Sequence, residues 1–150
     1  MENRGLETEF DSADESPGFL LWQITNRWQA AQRRALRPHG LTHVQFVLLA
    51  SLTWLHADGP VTQKELAGHA ATDPMMTSQV LRTLEGRGLV TRAAHPTDGR
   101  ARALEVTADG RALANRAIAS VEECDRAFFG PLGDETARFA RLLLRLRATR

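Results

Sequence analysis

Three helix start signals in close succession constrain this chain more than any other feature. Thr42 and Gln45 form a T-x-x-Q capping box, with Leu41 and Phe46 at the flanking positions of a hydrophobic staple. Further along, Thr62 and Glu65 repeat the box as T-x-x-E, with Val61 and Leu66 as its staple pair. Asp73, a good N-cap, and Pro74, placed where a missing N–H costs nothing, then open another helix almost at once. Between Thr62 and Asp73 there is room for one short helix, fading near Ala71, and a very tight turn. Such a pair of helices is a helix-turn-helix.

Periodicity supplies the rest. Leu20, Leu21, Ile24, Trp28, Ala31 and Ala35 recur at three- and four-residue steps from Pro17 until Pro38 to Gly40 break the run. The second helix continues through Val44, Val47, Leu48, Ser51, Leu52 and Leu55 and stops before Gly59-Pro60. In the helix opened by Pro74, Thr77, Val80, Leu81 and Leu84 face inward until Gly88. Beyond Gly88 the period changes. Leu89 to Ala94 is β-compatible, His95 to Gly99 (HPTDG) is turn chemistry, and Leu104 and Val106 alternate with Ala103 and Glu105. This predicts one hairpin and no other strand. Thr107 caps a long helix striped by Leu113, Ala117, Val121, Cys124 and Phe128, which Gly130-Pro131 and Gly133 interrupt. Asp134 is expected to open a last helix carrying Phe139, Leu142, Leu143 and Leu146.

The expected fold class is mainly α with a small β-hairpin wing, a winged helix-turn-helix with N- and C-terminal dimerisation helices. One domain spans 17–150: helices one and two over 17–57, the winged lobe over 61–107 and C-terminal dimerisation helices over 108–150. The 46 residues from Thr62 to Thr107 cannot cover the long apolar stripes of the first and last helices, so a second copy of the chain is expected to do so. Residues 1–16, acidic and almost without apolar positions, read as a flexible tail.

Composition narrows the function classes. With 150 residues, 43% hydrophobic and 25% charged, the chain fits one globular domain rather than a disordered or fibrous protein. No apolar run approaches the roughly 18 residues that span a bilayer, and the N-terminus is acidic where a secretory signal is basic, so a cytoplasmic protein is expected. The one cysteine, Cys124, excludes an intrachain disulfide and any CxxC motif, and its place on an apolar stripe predicts packing rather than redox chemistry. His39 and His43 have no third ligand nearby, so no metal is expected. The chain lacks a Gly-rich phosphate loop, G-x-S-x-G, H-E-x-x-H and any tyrosine, which argues against an enzyme and against a cofactor.

Charge permits a nucleic-acid partner without requiring one. The net +1 conceals a tail of net −5 and a body of net +6, and every cation except Lys64 is an arginine, whose planar fork suits phosphate. In helix-turn-helix proteins the second helix enters the major groove of double-stranded DNA. Opposite the inward face of that helix stand Met75, Ser78, Gln79 and Arg82, with Thr72 in the turn before it. Gln pairs with adenine, Arg with guanine or phosphate, Ser with either, and Met contacts a thymine methyl. Arg100 and Arg102 at the edge of the hairpin suit a narrow minor groove, and Asp98 suits a hydrogen-bonded or ionic brace for the wing. The alternative is a winged-helix protein-interaction module that does not bind DNA, whose affinity would lack the steep salt dependence of phosphate contacts.

Leu66-Ala67, the run Leu84-Glu85-Gly86-Arg87-Gly88-Leu89-Val90-Thr91-Arg92, Asp98-Gly99-Arg100-Ala101 and Val106-Thr107-Ala108-Asp109-Gly110 together resemble the MarR family of bacterial transcriptional regulators. Gly99 stands where many members carry a second basic residue. The resemblance implies Arg100 as the wing-tip arginine with Asp98 as its structural partner. It also implies an obligate homodimer on a pseudo-palindromic operator, and a ligand-responsive repressor that a small molecule releases. The stretch from Pro17 to Ala57 holds four Arg, three His and no acidic residue, which suits a small anionic aromatic effector. Arg27, Trp28, His39, His43 and Phe46 are its candidate contacts.

Overall fold

The capping signals at Thr42, Thr62, Asp73 and Thr107 each produce a helix start in the computed structural model, which describes residues 5–149. Ser16 caps α1 (Pro17–Leu36), and the reciprocal Thr42–Gln45 box opens α2 (His43–His56). The Thr62–Glu65 box opens α3 (Gln63–Ala70), and Asp73 accepts the Met76 N–H to open α4 (Pro74–Gly86). Thr107 opens α5 (Ala108–Phe129) and α6 (Thr136–Arg147) closes the chain.

The sheet differs from the expected hairpin. Val61 and Thr62 form a third strand, β1, beside β2 (Val90–Ala94) and β3 (Arg102–Val106), in the antiparallel order β1-β3-β2. Val61 pairs with Leu104 and Thr62 with Ala103. A two-residue strand has no period to read, and both residues already served a helix cap. Ala103, expected outward beside Glu105, is instead 3% exposed, hemmed between Thr62 and Ala93 on the neighbouring strands.

Asp134 does not cap α6. Residues Gly130–Glu135 form a 3-10 turn kinked at Gly133 (φ 53°), and Thr136 Oγ1 donates to the Gly133 carbonyl. Upstream, residues 1–4 of the expected tail lie outside the described residues. Its later part carries a capped turn, Ala13–Glu15, held by a Ser12–Glu15 box that leads straight into α1.

The core lies where α2, α4, α5 and the sheet meet, around Leu48, Leu49, Leu52, Leu81, Leu84 and Leu104. The join between wing and α5 is tight. Thr107 Oγ1 donates to the Gly88 carbonyl and the Thr107 N–H to that of Leu89, which puts Gly110 so close that a Cβ there would stand 2.1 Å from Leu89 O. The T-x-x-G spacing is therefore a packing requirement at this joint. The terminal helices are covered much less: α1 buries only Gln32 and Leu36, and α6 buries nothing.

Candidate nucleic-acid interface

Helix α4 is aimed by the turn before it. Ala71 takes a left-handed conformation (φ 54°), which costs a non-glycine residue about 1 kcal/mol and ends α3 abruptly. The fully buried Thr77 donates its hydroxyl to the Asp73 carbonyl and shares a 2.6 Å hydrogen bond with Thr72 Oγ1. Thr72 is thus engaged inside the turn. On the far face of α4, Met75 is 73% exposed, Gln79 and Arg82 are exposed, and Ser78 is half-buried under the Arg82 guanidinium. The four expected readers share one surface.

The signature run closes the lobe. Arg92 Nε donates to Glu85 Oε2 at 3.0 Å and Nη1 to Gln63 Oε1 at 3.3 Å, tying β2 to α4 and α3. Arg87 Nη1 donates to the Gly40 carbonyl, fixing the end of α4 to the segment before α2. Sequence alone marked these as family residues without a role; the ion pair shows what Glu85 and Arg92 do seven residues apart.

In the wing, Asp98 Oδ1 accepts the Arg100 N–H at 3.0 Å, so the carboxylate braces backbone rather than pairing with a guanidinium. Arg100 is exposed near the tip. Arg102 sits at the start of β3 and lines, with Thr62, Gln63, Lys64 and Arg92, a cleft of about 290 Å³ at the root of the wing. Lys64 joins this cleft because the first turn of α3 meets β3, which nothing in its own neighbourhood of sequence foretells.

A second polar cluster lies where α1, α2 and α5 cross. Trp28 Nε1 and Gln32 Nε2 both donate to Asp125 Oδ1, at 2.9 and 2.6 Å, and the His43 ring meets Trp28 edge-on at 5.0 Å. Burial and then the Arg33 charge hold the His43 pKa below its ordinary value, against an opposing pull from Asp125. Trp28 and His43 come together as candidate effector contacts, whereas His39 is held by Ser120 at 2.8 Å and Arg27 is exposed. Phe46, at 5% exposure, packs into the core cluster from the first turn of α2 and is not brought to the surface beside Trp28 and His43. Asp125 was missed, since a lone acid on a helix carries no signal of its partners. Beside it, burial and then Asp125 raise the Cys124 pKa, with Arg34 opposing, which keeps the thiol protonated at neutral pH.

Among the described residues no cluster of three or more His, Cys, Asp or Glu side chains could hold a metal, and no helix is long and apolar enough to cross a membrane.

Comparison with known proteins agrees with this arrangement. The MarR family model matches residues 41–101. An HTH-type transcriptional regulator of Bacillus subtilis, YdcH, is 46% identical over 81% of this chain and 84% of its own. The solved structure of the MarR family protein Rv2887 of Mycobacterium tuberculosis, in complex with salicylic acid, is 37% identical with a TM-score of 0.67, over 90% of this chain and 99% of that one. BpsR of Bordetella bronchiseptica, whose DNA binding is regulated by 6-hydroxynicotinic acid, is 25% identical with a TM-score of 0.85, over 95% of this chain and all of that one.

Proposed function

The chain belongs to the MarR family of transcriptional regulators, and from that premise we propose that it is a homodimeric, sequence-specific repressor released from its operator by a small anionic aromatic ligand. The observation that carries the DNA reading is α4. One of its faces is locked into the core by Thr77, Leu81 and Leu84, while the other offers Met75, Gln79 and Arg82 to solvent beside a cationic wing. Gln79 and Arg82 read base edges, Arg100 enters the minor groove, and Lys64 and Arg102 take backbone phosphates at the root of the wing. Asp98 braces the wing for Arg100, while Thr72 and Ser78 shape the turn and the helix face.

Dimerisation is supported by the apolar surface left open on the terminal helices, where Leu20, Leu21, Ile24, Leu142, Leu143 and Leu146 are all exposed within one chain. Two lobes related by a two-fold axis then meet half-sites of a pseudo-palindrome about one helical turn apart. For the effector, the edge-on Trp28–His43 pair supplies a stacking surface, and Arg27 and Arg33 supply cations. The aromatic acids named with Rv2887 and BpsR support that ligand class.

The test is selection of genomic fragments by the purified protein, then fluorescence anisotropy on the best fragment across a salt series. Affinity is expected to fall steeply with salt. Arg100→Ala is expected to cost about tenfold, and Gln79→Ala or Arg82→Ala to cost about 1–3 kcal/mol on the operator with little change on random DNA. Equal losses on both DNAs would remove the base-reading roles. Enrichment of no fragment, with salt-independent capture of a protein instead, would overturn the DNA reading.

A further inference from the structure

The wing turn is organised around a residue that the functional reading leaves unused. His95 Nδ1 faces the backbone N–H groups of Thr97 at 3.2 Å and Asp98 at 3.1 Å, with the Thr97 hydroxyl at 3.4 Å. Two N–H groups aimed at one ring nitrogen require that nitrogen to be an acceptor, so the imidazole is neutral and carries its proton on Nε2. The ring does here what an asparagine oxygen does in an Asx turn, accepting from residues two and three ahead across Pro96.

The hydrogen bonds run onward from it as a closed circuit. Asp98, held by His95, accepts the Arg100 N–H through Oδ1 and the Ala101 N–H through its carbonyl, and the Ala101 carbonyl accepts the His95 N–H. Arg100 is thus placed by a chain of contacts that starts at an imidazole nitrogen.

We propose that neutral His95 is the positioning residue of the wing, and that its protonation releases the turn and the placement of Arg100. A proton on Nδ1 would face two N–H donors at hydrogen-bond distance, turning two attractions into repulsions. The charged groups nearest it along the wing are Asp98 and Arg100 on the turn and Arg102 on β3 opposite Ala94, while Arg92 on β2 is turned to Glu85 and Gln63. None of them is ion-paired to the ring among the described residues, and the Asp98 carboxylate is already engaged with the Arg100 N–H.

The DNA part of this inference rests on the repressor reading, but the turn does not, and the experiment separates them. Imidazole nitrogen shifts and amide exchange are followed by NMR in the wild type, His95→Ala and His95→Asn, without DNA. Expected are an unprotonated Nδ1 at about pH 8, protected Thr97 and Asp98 amides that open in the wild type at about pH 5.5, and open amides at both values in His95→Ala. His95→Asn, which keeps an acceptor at the same position and cannot titrate, is expected to hold them closed at both. On the selected operator, His95→Ala is expected to lose about fivefold to tenfold in affinity and His95→Asn to restore it. A proton on Nδ1 at about pH 8, or unchanged Thr97 and Asp98 exchange in His95→Ala, would overturn the proposal outright. Released amides with unchanged operator affinity would overturn its link to Arg100, and a wild type that binds no DNA would overturn the repressor reading alone.

Discussion

The apolar face of α4 is completed within one chain, whereas that of α6 is not. Thr77, Leu81 and Leu84 are fully buried against α2, α3 and the sheet, while Leu142, Leu143 and Leu144 are exposed and Leu146 is 65% exposed. Both helices are amphipathic, so pattern alone does not distinguish them; what differs is whether the chain brings anything to cover the stripe. The winged lobe covers its own apolar face, whereas the terminal helices leave theirs open, which is the surface proposed above to meet a second copy. Under the proposed function, reading and assembly fall to separate parts of the molecule, with α5 running through both.

The sharpest way to break that division is to charge the open stripe. Leu142→Asp with Leu146→Asp places two carboxylates one helical turn apart on the proposed interface. Sedimentation is expected to show the wild type at twice 16.6 kDa and the variant at 16.6 kDa, with the lobe still folded. Operator affinity is expected to fall at least a hundredfold, because two linked half-site contacts become one. An unchanged dimer would mean that α6 faces solvent and that the contrast with α4 has another cause.

A smaller effect, confined to the lobe, compares two glycines. At Gly110 a methyl group would meet the Leu89 carbonyl at 2.1 Å, and backbone cannot yield as a side chain can; at Gly130 nothing lies within 4 Å and φ is −49°. Gly110→Ala is expected to destabilise by about 3 kcal/mol in urea denaturation, and Gly130→Ala by no more than about 0.5 kcal/mol. Similar values for the two would show that the lobe's joint with α5 is looser than its geometry.

These contrasts also mark what a sequence can disclose. Capping boxes, the inward face of α4 and the turn chemistry of the wing are written in residues three or four apart, and the structure repeats them nearly residue for residue. Contacts between distant segments leave no such mark. β1 is too short to have a period, Asp125 meets Trp28 and Gln32 from 93 residues or more away, and Phe46 occupies the staple position that a partly exposed residue would also occupy. The exposed face of α4 was legible because helical geometry fixes which residues oppose a buried face. The place of Lys64 in the cleft was not, because it depends on where β3 runs.

The smallest expected effect lies at the seam between the two regions, where His43 opens α2 and meets Trp28 of α1. Burial, then Arg33, depress its pKa below the value near 6.5 that it has when unfolded. The folded protein therefore binds fewer protons at this site than the unfolded chain. The stability it contributes is fully present above about pH 6.5 and is lost as pH falls through the lower, folded value. His43→Gln removes that titration without adding a charge to the first turn of α2, so thermal melting from about pH 7.5 to about pH 5 should fall less steeply in the variant. The ring is half-exposed, so solvent screening keeps the difference small. An equally steep acid limb in the variant would place the pH-sensitive burial elsewhere than at this crossing of α1, α2 and α5.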